Sequence, residues 1–123
     1  MASEKTLLDV ISRIESDVGG MIAAAAVDLE SGMTLAAKTN RPDFDLSVAS
    51  AYNSELVKQK LKIMQALNIK ASLEDMLLTL TDQLHLIKIL PGGGGFLYLA
   101  ADRGATNLAI LRSAVNKHCA GLS

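Results

Sequence analysis

Apolar residues recur near the start of the chain with a helical period. Leu7, Ile11, Ile14 and Val18 stand at i, i+4, i+7 and i+11, one face of a 3.6-residue turn. This predicts an amphipathic helix over residues 4–18, capped by Ser3 or Thr6 and stopped by Gly19-Gly20. Residues 21–28, MIAAAAVD, are almost wholly apolar. Alanine favours helix by intrinsic propensity. The segment is short, however, and lies between two glycines and the turn Leu29-Glu30-Ser31-Gly32, so a buried strand is expected. A second strand returns over residues 33–38, and residues 39–44 form a loop punctuated by Pro42.

Asp45 is a natural N-cap for a long helix over about residues 46–68. Its wheel carries two apolar stripes. Val48, Ala49, Tyr52, Leu56, Ile63, Ala66 and Leu67 share one face, and Val57, Leu61 and Met64 share another. One stripe is enough to dock a helix on a sheet. The larger is expected to do so, which leaves the second in need of another partner. Three strands follow, over residues 75–81 (DMLLTLT), 83–90 (QLHLIKIL) and 96–101 (FLYLAA), joined at Thr81-Asp82 and at Pro91–Gly95. Thr106 or Asn107 caps a last helix reaching His118, with Leu108, Leu111 and Val115 on its apolar face. The order is α-β-β-α-β-β-β-α, and its tight turns imply antiparallel pairing. The expectation is an α/β (α+β) single domain over residues 1–123, a five-stranded mostly antiparallel sheet with helices packed on it.

Composition narrows the function. The net charge is −1, aromatics are 3% and there is no Trp. That leaves neither the basic excess that neutralises phosphates nor the platforms that stack on bases, so no nucleic-acid partner is expected. The apolar fraction of 50% suggests more apolar surface than one small core hides. Cys119 is alone, which excludes an internal disulfide framework and suits a reducing compartment. The start MASEKTLLDV has no basic, apolar secretion pattern, and the longest apolar run, residues 21–27, is too short to span a bilayer. A cytoplasmic protein without membrane insertion is expected.

Candidate chemistry is sparse. The run PGGGG precedes a strand and lacks the Lys-Ser/Thr of a phosphate loop. His118 and Cys119 are helix neighbours about 100° apart, a poor start for a metal site, and read as an exposed histidine and an incidental thiol. His85, in an apolar strand, reads as a satisfied core or interface histidine. No Gly-x-Ser-x-Gly occurs, and the acid pairs Glu74-Asp75 and Asp43/Asp45 fall in turns and caps. No catalytic residue, metal ligand or cofactor site is assigned, and the chain is expected not to be an enzyme.

The run GMIAAAAVDLESGMTLAAK, the long helix with Tyr52, then DMLLTLTDQLHLIKIL, FLYLAAD and the NLAILR helix together resemble the roadblock (dynein light-chain) family. Asp28, Gly32 and Asn107-Leu108-Ala109 are the clearest points, and the resemblance spans about residues 5–118. It implies a roadblock/profilin-like sandwich with the long helix on one side of the sheet and the terminal helices on the other. It also implies dimers built through that helix and the third strand, and a role in regulating or scaffolding small Ras-like GTPases. Mapped onto this chain, the dimer elements are Val57, Leu61 and Met64 of the helix and Met76, Leu78 and Leu80 of the strand. The expected function is a non-catalytic homodimeric protein-binding module whose partner is a second copy and a small GTPase. The alternative is a small-molecule sensor on a PAS/longin-like frame, with His85, Thr79 and Tyr98 as its strand polar groups.

Overall fold

The computed structural model describes residues 2–122. Helix α1 (Glu4–Asp17) leads into β1 (Met21–Asp28) and β2 (Thr34–Thr39). The long α2 (Leu46–Ala66) follows, then β3 (Asp75–Thr79), β4 (Gln83–Ile89), β5 (Gly95–Asp102) and α3 (Leu108–Cys119). The order is the one read from the sequence. Local chemistry sets the boundaries: Ser3, Asp45 and Asn107 each accept a hydrogen bond from a backbone N–H three residues on. Gly20, at φ +71°, turns the chain out of α1, and a Cβ there would lie 2.5 Å from Ala105 Cβ.

The five strands form one sheet in the order β2-β1-β5-β4-β3, with every neighbouring pair antiparallel. The strand read over residues 75–81 is shorter than expected. Leu80 N–H already donates to the Gln83 carbonyl, so the hairpin closes there and Leu80 leaves the ladder. The alanine-rich β1 runs beside the central β5, and Ala23 to Ala26 are fully buried. They lie between two helical layers, where small side chains let helices approach both faces of the sheet.

One core joins Leu7, Ile11 and Ile14 of α1 and Leu111 and Val115 of α3 to Leu84, Leu86, Leu97 and Leu99 of the sheet. The opposite core sets Leu46 and Val57 of α2 on Ile22, Ala25, Val27, Ile87, Phe96 and Tyr98. The long helix is therefore on one side and the terminal helices on the other. The helical layer on the first side is pinned by His118 Nε2 to Asp17 Oδ2 at 2.7 Å, and His118, expected to be exposed, is largely covered by this contact. Cys119 beside it is buried, which pushes its thiol up to about 11. No helix among the described residues is long and apolar enough to cross a membrane.

Candidate protein-binding interface

The long helix docks by the face that the sequence pattern disfavours. Leu46, Ser50, Ser54 and Val57 are its buried residues, at i, i+4, i+8 and i+11. The two serines are satisfied. Thr34 Oγ1 donates to Ser50 Oγ at 2.8 Å, and Ser54 Oγ donates to the Leu29 carbonyl at 2.6 Å. The β1–β2 hairpin lies against this face: a Cβ on Gly32 would stand in van der Waals contact with Ser54 Cβ, at 3.6 Å. Asp28 Oδ2 accepts from Ser31 N–H and hydroxyl and shapes that hairpin. These bonds hold the Asp28 carboxyl below the usual carboxylate range.

The assignment of the two stripes is therefore corrected. Val57, read as an interface residue, is 0% exposed and belongs to the chain's own core. The larger stripe, read as the docking face, is turned outward. Tyr52 is 74% exposed, Leu67 65% and Val48 50%, and Leu56 and Ile63 are exposed with them. The other two helix residues read as interface continue the docked face, at i+4 and i+7 from Val57. Leu61 is exposed and borders a cleft with Leu29, Leu73 and Ile89, while Met64 is half-buried near Ile69 and Lys60.

Beyond α2 the same face of the sheet continues onto β4 and β3. Alternation brings Met76 and Leu78 to it opposite Ile87 and His85. Met76 packs partly on the α2-side core, and Leu78 and Leu80 are exposed. β3 is an edge strand, so one side of its backbone has no partner strand. An apolar edge in this state invites pairing with another chain. Arg112 of α3 holds the start of the strand through a two-pronged ion pair with Asp75, at 2.9 and 3.0 Å.

His85 stands on this face next to Leu78, in a polar relay between apolar neighbours. Its Nε2 donates to Gln83 Oε1 at 2.7 Å, and Tyr98 donates its hydroxyl to Nδ1 at 3.1 Å. That pattern uses the neutral ring. Phe44 stacks on Tyr98 and meets His85 edge-on, with both centroid distances 6.4 Å. Burial pulls the His85 pKa down against a weaker upward pull from Asp82. It also pushes the Tyr98 phenol up to about 12. The only sequence signal for this cluster is a histidine in an apolar strand. Phe44 and Gln83 join it through the fold.

Among the described residues, no group of three His, Cys, Asp or Glu side chains is arranged to hold a metal ion. The Gly-rich segment forms the β4–β5 turn, with Gly92 and Gly93 at φ +91° and +77°. Gly94 accepts from Leu29 N–H, which ties the turn to the β1–β2 hairpin.

No protein-family model matches the sequence, and no curated protein matches it. Solved structures do match the fold. MglB of Myxococcus xanthus superposes with a TM-score of 0.83 at 14% identity, over 98% of this chain and 88% of that one. A roadblock/LC7 domain from Streptomyces avermitilis gives 0.77 at 15% identity, over 99% and 95%. The gliding protein MglB of Thermus thermophilus gives 0.77 at 15% identity, over 98% and 93%. With its antiparallel five-stranded sheet, its long helix on one face and its terminal helices on the other, this chain has the roadblock fold.

Proposed function

We propose that the protein is a non-catalytic homodimeric binding module that regulates or scaffolds a small Ras-like GTPase. The observation that carries the dimer is the outward apolar face of α2, from Val48 to Leu67, beside the unpaired apolar edge of β3. Large exposed apolar surface of this kind marks protein interaction sites. A two-fold dimer covers the helix face and completes the strand edge with one self-complementary patch. In this reading the interface keeps Met76, Leu78 and Leu80, and leaves out Leu61 and Met64, which follow Val57 on the docked face. Val48, Tyr52, Leu56, Ile63 and Leu67 take the place of Val57 at its centre. The GTPase partner rests on the resemblance to roadblock domains, supported by a fold shared with two MglB proteins.

Light scattering coupled to size exclusion tests the dimer. Wild type is expected at twice the chain mass at tens of micromolar, and Leu56→Asp at the monomer mass with a native circular dichroism spectrum. A monomeric wild type would sink the reading. For the partner, a small Ras-like GTPase from the same genome, loaded with GDP or a non-hydrolysable GTP analogue, is titrated against the dimer. Saturable binding that differs between the two nucleotide states supports the role, and no binding in either state removes it.

A further inference from the structure

We infer that His85 makes the subunit interface pH-sensitive: the dimer forms around its neutral ring, and protonation of that ring releases the subunits. This rests on the homodimer reading and adds a control to it. Helix α2 lies over β1 and β2. Farther across the same side of the sheet, β4 and β3 carry His85 and Leu78 as cross-strand neighbours, His85 half-buried and Leu78 exposed. The outward stripe of α2 leans toward these strands. Lys60, on the flank beside Leu56 and Leu67, lines a cleft with Asp75 at the start of β3, whereas Lys58, on the other flank, reaches back to the Glu30 carbonyl. A second copy that covers the stripe and pairs with the β3 edge therefore spans the floor between them. His85 and Leu78 belong to that floor, so dimerisation completes the burial of the imidazole.

The groups around the ring suit its neutral form. Nδ1 accepts from Tyr98 on β5, Nε2 donates to Gln83 on its own strand, and Phe44 meets the ring edge-on. A proton on Nδ1 forces the Tyr98 hydroxyl to surrender its donor role. Counter-charge is scarce. Asp82, at the β3–β4 turn, draws the His85 pKa upward, and burial outweighs it. Arg103 stands at the same turn, donating to the Leu80 carbonyl. Asp43 and Asp45, on either side of Phe44 in sequence, are exposed, and Asp45 is engaged with Val48 N–H. The apolar residues of the stripe and of the β3 edge bring no carboxylate of their own. An imidazolium sealed beneath them lacks a partner, and burying an unpaired charge is costly. The free subunit therefore takes up the proton in preference to the dimer, which couples dissociation to acid.

Sedimentation equilibrium at pH 7.5 and 5.5, with circular dichroism at both, tests this. A ring whose pKa falls by about one unit on dimerisation weakens the acid dimer about tenfold per subunit, or about a hundredfold for the pair. Wild type is expected to dissociate at least about tenfold more readily at pH 5.5 than at pH 7.5 while keeping its native spectrum. His85→Gln keeps a polar side chain beside Tyr98 but takes up no proton. Its dissociation constant is expected to stay within about threefold across the same range. His118→Gln is the control. His118 is the other histidine of the chain, paired with Asp17 on the opposite side of the sheet, and this variant is expected to follow wild type. A wild-type dimer equally tight at both pH values would refute the inference and leave the homodimer standing. A His85→Gln dimer that weakens as much as wild type would refute it too, as would a wild type that unfolds at pH 5.5 together with the loss of its dimer. A wild type that stays monomeric at about 100 μM and pH 7.5 would remove the homodimer reading itself.

Discussion

Val57 and Leu56 are neighbours on α2, yet the fold gives them opposite environments. Val57 is fully enclosed between the helix and the sheet, whereas Leu56 belongs to the outward stripe. Val57→Ala deletes two methyl groups from a closed core. At about 0.8 kcal/mol per buried carbon, with a further cavity cost, the loss is about 1.5–3 kcal/mol. For a chain of 123 residues that lowers the melting temperature by about 6–12 °C. The interface is untouched, so the variant is expected to remain dimeric at 25 °C. Leu56→Asp exposes its carboxylate to water in the monomer and costs the fold little. In the dimer it brings two carboxylates into an apolar seam, where burying unpaired charge is prohibitive. It is expected to be folded and monomeric. Urea unfolding and light scattering on both variants, at matched concentration, separate the two effects. A monomeric Val57→Ala with an unchanged urea midpoint would show that the sheet does not hold this face of the helix.

Other outcomes follow from single contacts. The His85 pKa is lowered by burial, so the unfolded chain takes up the proton more readily. Stability is therefore intact above the ordinary histidine value of 6.5 and declines as pH falls from there through the lower folded value. Wild type should lose thermal stability between pH 7.5 and 5 more steeply than His85→Leu, and parallel curves would dismiss this account. Gly93→Ala meets nothing within 4 Å, so only its positive φ opposes it, and a loss of about 1 kcal/mol in urea unfolding is expected. A loss above about 3 kcal/mol would mean that the turn is packed more tightly than this. Calorimetric titration with GTP or ATP plus Mg²⁺ is expected to show no saturable binding, because the glycines form a β4–β5 turn and open no helix. A dissociation constant below roughly 10 μM would reverse that expectation.

The order of elements was legible in the sequence because its signals are local. Asp45 and Asn107 cap the helices that follow them, Gly19-Gly20 ends the first, and the Leu29–Gly32 turn separates two strands. The alanine-rich strand was legible from its neighbours, although its own propensity argues for helix. The edge strand was recognisable from its alternation, but its end was not. Leu80 continues the apolar pattern while its N–H is already committed to the Gln83 carbonyl.

Which face of α2 meets the sheet was decided only in the tertiary structure. A helical wheel ranks faces by hydrophobicity, and by that measure Val48, Tyr52, Leu56, Ile63 and Leu67 outrank a face with two serines. The fold reverses the ranking because Thr34 and the Leu29 carbonyl, 16 and 25 residues away in sequence, satisfy those hydroxyls. A bonded serine is small and cheap to bury. It lets the helix lie close over Ala23 and Ala25, which larger side chains would prevent. The sequence thus determined that the helix has an apolar face to spare. Long-range hydrogen bonds and the depth of the groove determined which face that is, and so which residues a partner meets.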